Sequence, residues 1–153
     1  MKTKFTAISV ALLTALGLIL MSANSSADPA MQVYKSKTCG CCQDWIDHIE
    51  AAGISVESTD LNDMNSKKIE LGVPSELASC HTAVIDGYVI EGHVPASDIL
   101  RLLREKPAVT GLTVPGMPHG SPGMETGRED PYQVLAFDSK DKDLQVWSEY
   151  NQH

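Results

Sequence analysis

The chain has 153 residues, with 20 acidic side chains against 12 basic ones and a formal net charge of −8; only 5% of its residues are aromatic. An acidic, aromatic-poor surface repels phosphate backbones and anionic headgroups, which argues against nucleic acid or acidic membranes as partners.

Lys2 and Lys4 precede an apolar stretch from Phe5 to Met21, followed by the small polar segment "SANSSADPA". This is the layout of a secretory signal peptide, with Ser25 and Ala27 suiting the minus-three and minus-one sites, so cleavage is expected after Ala27. A membrane anchor competes with that reading, since the stretch is near the roughly 17-residue minimum for spanning. Thr6, Ser9, Thr14 and Gly17 weaken it, as does the small-residue exit. Residues 1–27 are then the signal peptide, and 28–153 form a single domain large enough for a core. Loss of Lys2 and Lys4 leaves 10 basic against 20 acidic residues, a net charge of −10. An exported chain with Cys39, Cys41, Cys42 and Cys80 meets conditions in which disulfides form.

"MQVYK" (Met31 to Lys35) alternates like a short strand and leads into "KTCGCCQDW". From there Cys42, Trp45, Ile46 and Ile49 fall at i, i+3, i+4 and i+7, one face of a helix closed by Gly53. Three cysteines thus occupy the loop and first turn between a strand and a helix. "ISVEST" reads as a second strand. "NDMNSKKIELGVP" offers Asn or Asp as an N-cap, a short helix, Gly72 as its C-terminal cap and Pro74 beyond.

"HTAVIDGYVIEGH" is two β-branched runs about Asp86-Gly87, the dipeptide of a type I′ hairpin. "ASDILRLLREKP" is a helix opened by Ser97 or Asp98 and ended before Pro107. In "VTGLTVPGMPHGSPGMETGRED" the glycines and prolines are so dense that a long loop without regular structure is expected. "PYQVLAF" and "LQVWSEY" then form a terminal hairpin. The order β, α, β, α, β-hairpin, α fits an α/β, thioredoxin-like sandwich over about residues 31–106, carrying a C-terminal Gly/Pro/Met loop and a β-hairpin extension.

Cys39 and Cys42 have the C-x-x-C spacing of a thiol–disulfide oxidoreductase. A helix N-terminus favours thiolate over thiol, so one of them is expected to be reactive. Cys41 is surplus to disulfide exchange. Clustered thiolates instead suit soft ions such as Cu(I), or borderline Zn²⁺, and several sulfurs can bridge more than one Cu(I). In a thioredoxin-like fold the loop entering the hairpin lies against the cysteine loop, which would bring Cys80 and His81 to the cluster. Cys80 has two further readings, a buried small hydrophobe or a disulfide partner.

"PGMPHGSPGM" puts Met117, His119 and Met124 on an exposed polar loop, where a thioether gains little from burial yet is a good Cu(I) ligand. Packing beneath the loop is the other reading of both methionines. His93 either faces the cluster or caps the next helix, and His48 is expected to be solvated. Neither a Ser-His-Asp order nor a phosphate-binding or dinucleotide fingerprint is present.

"YKSKTCGCCQDWIDHIEAAG", "LGVPSELASCHTAVIDGYVIEGHVPASDI" and "VPGMPHGSPGME" resemble the CopG-type periplasmic copper-resistance family, a thioredoxin-like group long known only as a metal-binding domain of unknown function. The resemblance spans about Met31 to Tyr150. It implies a periplasmic protein that binds copper through the C-x-C-C motif and acts in detoxification, with a change in the metal's oxidation state as one route. Carried over by position, the metal residues are Cys39, Cys41, Cys42 and Cys80, with His81, His93, Met117 and Met124 in matching blocks. Copper ions are the implied partner, together with another periplasmic copper-handling protein. The sequence leaves open whether the chain is an enzyme or a metal-binding protein, and thiol–disulfide exchange through Cys39 and Cys42 is the alternative.

Overall fold

The computed structural model describes residues 30–140 and 143–152, so the expected signal peptide and His153 lie outside the described residues. Alternation in Met31–Lys35 buries Met31, Val33 and Lys35, and this stretch is the first strand, β1. The apolar stripe of Cys42, Trp45, Ile46 and Ile49 winds as helix α1, Gly40–Ala51. There follow β2 (Val56–Asp60), α2 (Met64–Glu70), a 3₁₀ turn (Ser75–Leu77), β3 (Thr82–Ile85), β4 (Tyr88–Glu91) and α3 (Ala96–Glu105). Beyond them lie β5 (Gly111–Thr113), β6 (Tyr132–Phe137) and β7 (Leu144–Tyr150).

One seven-stranded sheet runs in the order β2-β1-β3-β4-β5-β6-β7. Pairs β1/β2 and β4/β5 are parallel, as crossovers through α1 and α3 require, and the other neighbours are antiparallel. The expected α/β sandwich is present, with the terminal strands extending the same sheet.

Two apolar layers flank the sheet. On one face Trp45, Ile46 and Ile49 of α1 and Ile99 and Leu102 of α3 pack on Val33, Ala83, Ile90 and Leu112. On the other, Val73 and Leu77 pack on Val89 and Phe137. Trp45 is fully buried and donates to the Val94 carbonyl at 2.9 Å, tying α1 to the segment after β4. Burying a side chain of that size is worth about 1.5–3 kcal/mol before its hydrogen bond is counted. Among the described residues no helix is long and apolar enough to cross a membrane.

Local chemistry explains most boundaries. Asp63 caps α2 by accepting from Ser66 N at 3.1 Å, and Gly72 follows with φ +74°. Asp86 and Gly87 both adopt positive φ, as a type I′ turn demands. Three expectations need correction. Helix α3 opens at Ala96 after Pro95, not at Ser97 or Asp98; Asp98 is instead buried and accepts from Ser148 and Tyr150. His48 is half-buried rather than solvated, because its Nε2 accepts from Ala96 N at 3.1 Å and so caps α3. The breaker-rich segment also contains a strand, β5. Gly111 belongs in it because a Cβ there would lie 1.7 Å from the Val89 carbonyl oxygen.

Candidate metal centre

Strand β1 ends at Lys35, and a turn closed by Cys39 N donating to Ser36 O at 3.1 Å feeds α1. Cys39 is the helix N-cap with an extended backbone and no side-chain cap. One helical turn brings Cys39 and Cys42 together as a disulfide, their Cα atoms 5.4 Å apart. Cys42 is fully buried on the apolar face, whereas Cys39 and Cys41 are half-buried at the surface of the turn. The surplus Cys41 remains a free thiol, as does Cys80.

Cys80 arrives on the irregular segment between the 3₁₀ turn and β3. Its sulfur lies 3.9 Å from that of Cys41, which is itself 3.6 Å from that of Cys39. The four sulfurs all lie within 4.8 Å of one another. A second group shares Cys80: His93 Nε2 stands 3.0 Å from its sulfur and His81 Nδ1 3.2 Å. Six of the eight residues singled out in the sequence therefore meet at one end of the sheet.

The protonation pattern follows from the contacts. Pro122 O can only accept, so His93 Nδ1 donates to it at 2.8 Å and the neutral ring turns the Nε2 lone pair to Cys80. Burial lowers the His93 pKa, against small opposing effects of Pro122 and Glu125. His81, fully buried, is lowered well below the ordinary imidazole value by burial, then by His93 and Lys68. The Cys80 thiol is pushed up to about 12, by burial first and Cys41 second. Without metal, Cys80 is thus a thiol that donates to His93 Nε2. His81 Nε2 is buried with no hydrogen-bond partner among the described residues. The His81 ring is held against Trp45, with centroids 4.2 Å apart, and edge-on to His93 at 5.1 Å.

The Gly/Pro/Met loop closes over this end of the fold. A Cβ on Gly123, at φ +81°, would lie 2.7 Å from the Cys41 carbonyl oxygen and 2.8 Å from Trp45 N, so only glycine permits this approach to α1. The loop sets the Gly123 backbone against Cys41 and Trp45 and the Pro122 carbonyl on His93. Met124 follows in sequence and is half-buried, while Met117 is 51% exposed. Exposure removes the packing explanation for Met117. His119 is taken up in the loop itself, its Nδ1 2.6 Å from Thr126 Oγ1. The capping role weighed for His93 belongs to His48.

Among solved structures, two named "Copper resistance protein copG", Form 2 and Form 1, are similar to this chain. Form 2 is 51% identical, with a TM-score of 0.75, over 79% of this chain and 97% of its own. Form 1 is 50% identical, with a TM-score of 0.76, over 80% and 98%. The chain belongs to the CopG family. The thioredoxin-like part, residues 31–106, is about half of the chain, so the CopG likeness extends beyond it. A family model described as "Protein of unknown function, DUF411" matches residues 77–124, from the end of the 3₁₀ turn to Met124. No curated protein matches.

The donors at this end of the CopG fold are sulfurs and neutral imidazoles. Neither convergent group contains a carboxylate. Such a set suits soft or borderline ions and not the hard, oxygen-seeking Mg²⁺ or Ca²⁺. Sequence reasoning missed Lys68 and Glu91, a buried pair behind the site. The available signal was a lone acid in the otherwise apolar strand "YVIE".

Proposed function

We propose that the mature domain, residues 28–153, is a periplasmic copper-binding protein of copper resistance. It would hold one or more Cu(I) ions through Cys39, Cys41, Cys42 and Cys80, with His81, His93, Met117 and Met124 as further ligands. The observation that carries this reading is the convergence of four sulfurs within 4.8 Å, two of them unnecessary for disulfide exchange. Copper, as the choice among soft ions, comes from the name that both solved relatives carry. With the Cys39–Cys42 bond closed, two sulfurs and two imidazoles are available; reduction adds two more thiolates. Binding releases the Cys80 proton, since the metal takes the thiolate.

The test is anaerobic titration of the fully reduced protein with Cu(I). Tight binding of at least one equivalent is expected, with loss in the Cys41→Ser/Cys42→Ser double variant. Failure to bind, or unchanged binding by the variant, would sink the proposal.

A second reading is favoured by the disulfide itself: redox chemistry through Cys39 and Cys42. Two Cu(II) ions would each accept one electron as this dithiol closes, giving two Cu(I), one disulfide and two protons. Stopped-flow mixing with Cu(II) and a thiol reductant should then show turnover beyond one disulfide per chain. Plain thiol–disulfide exchange predicts insulin reduction by the metal-free protein and its loss in Cys39→Ser.

A further inference from the structure

Glu91, at the end of β4, is completely buried, and Lys68 of α2 is 7% exposed. Lys68 Nζ lies 2.6 Å from Glu91 Oε1 and 2.9 Å from Thr82 Oγ1. The same Oε1 accepts from Ser79 N at 2.6 Å, and Oε2 accepts from Thr82 Oγ1 at 2.6 Å. One carboxylate thus grips residues 79 and 82, which bracket Cys80 and His81. Ser79 also donates through its hydroxyl to the Gly116 carbonyl, at the root of the Gly/Pro/Met loop. Beyond the end of β4 the chain runs from Glu91 through Gly92 to His93, and Gly92 N donates to His81 O at 3.0 Å.

A buried ion pair is a poor route to stability, because desolvation consumes most of the Coulomb gain and apolar replacements of similar volume are often neutral or better. Fixing a geometry is the use that fits this one. Cys80 and His81 sit on irregular chain, between a 3₁₀ turn and a strand, where no ladder determines how far their side chains reach toward Cys41. Each bond to Glu91 removes a way for that chain to retreat. Thr82 pairs with Glu91 in the β3/β4 register, whereas Ser79 lies outside the sheet and its N–H meets it through the carboxylate.

We propose that Glu91, with Lys68 as its counter-ion, is a positioning residue that holds Cys80 and His81 against the cysteine loop. The proposal rests on the metal reading of the cysteines, but its test does not depend on metal. In a Cys41→Ser background with the Cys39–Cys42 disulfide intact, Cys80 is the sole free thiol. Its alkylation by iodoacetamide is compared with and without Lys68→Met/Glu91→Leu, a pairwise replacement that leaves no lone buried charge. Thermal melts establish that both proteins fold.

Local opening of a segment that has lost its anchors is expected to speed alkylation at least about tenfold without a matching fall in Tm. Thr82→Val, which cuts one bond and spares the ion pair, should give a smaller increase. With all four cysteines present and reduced, the Lys68→Met/Glu91→Leu protein should bind fewer Cu(I) equivalents than wild type. An unchanged alkylation rate in the folded double variant overturns the positioning role, and so does a rise that merely tracks a lower Tm. Wild type that binds no Cu(I) overturns the metal reading instead, while the alkylation comparison still judges Glu91.

Discussion

The two pairs of sulfurs differ in what assembles them. Cys39 and Cys42 are three residues apart and joined within one helical turn, so a short stretch of chain suffices to bring them together. Cys41 and Cys80 are 39 residues apart, unjoined, and meet because α1, the Cys80 segment, His93 and the Gly/Pro/Met loop all close on one end of the sheet. The first pair is a local device. The second reports on the whole fold, and it is the one that a redox couple alone would leave unexplained.

That contrast can be broken most strongly at Cys80. Cys80→Ser should weaken Cu(I) binding by at least about a hundredfold, more than the 10–100-fold typical of losing a residue behind a ligand. Competition against a chelator of known affinity measures it, and retention of full affinity would reduce Cys80 to a packing residue. Cys39→Ser/Cys42→Ser tests the other side of the comparison. Removing a cross-link over so short a loop should cost the metal-free protein about 2 kcal/mol or less, read from urea unfolding.

Gly123→Ala sharpens the comparison by disturbing Cys41 through its carbonyl. It forces a Cβ into contacts of 2.7 and 2.8 Å at a left-handed backbone position. A loss of about 1–3 kcal/mol is expected in denaturant unfolding, with a measurable drop in Cu(I) affinity. An unaffected affinity would mean that the loop lid is independent of the sulfurs.

The smallest effect is of pH on the metal-free protein. His81 and His93 are held below the ordinary imidazole value of 6.5, chiefly by burial, and His48 likewise. Folding therefore favours their neutral forms. The stability they contribute is present in full above 6.5 and is lost as pH falls through 6.5 toward the lower folded-state values. Melting temperature should be level between pH 8 and 7 and fall by pH 5, and a level profile down to pH 5 would contradict neutral, buried imidazoles.

Much of this was legible in the sequence because it is written locally. The helical spacing from Cys42 to Ile49, the Asp86-Gly87 turn and the C-x-C-C cluster all act within a few residues of themselves. Strand β5 was not legible: three residues carry no period, and Gly111 is required there only by a carbonyl on β4. The same holds for His48, whose partner Ala96 lies 48 positions away, and for Lys68 and Glu91, 23 positions apart. Cys80 and His81 could be placed near the cluster only by first choosing a fold. Met117 and Met124 show the limit of composition, since a shared loop gave them one reading and the structure gives them different exposures.

The raised pKa of Cys80 has a consequence for which reagents can reach it chemically. Burial, with Cys41 beside it, keeps Cys80 in the neutral thiol form at neutral pH. Peroxides, electrophiles and stray disulfides react with thiolates, so the neutral thiol slows their attack. A soft cation needs no pre-existing anion, because it can displace the proton as it binds. The same burial that makes this sulfur a poor nucleophile spares it for any reactant that works by displacing a proton.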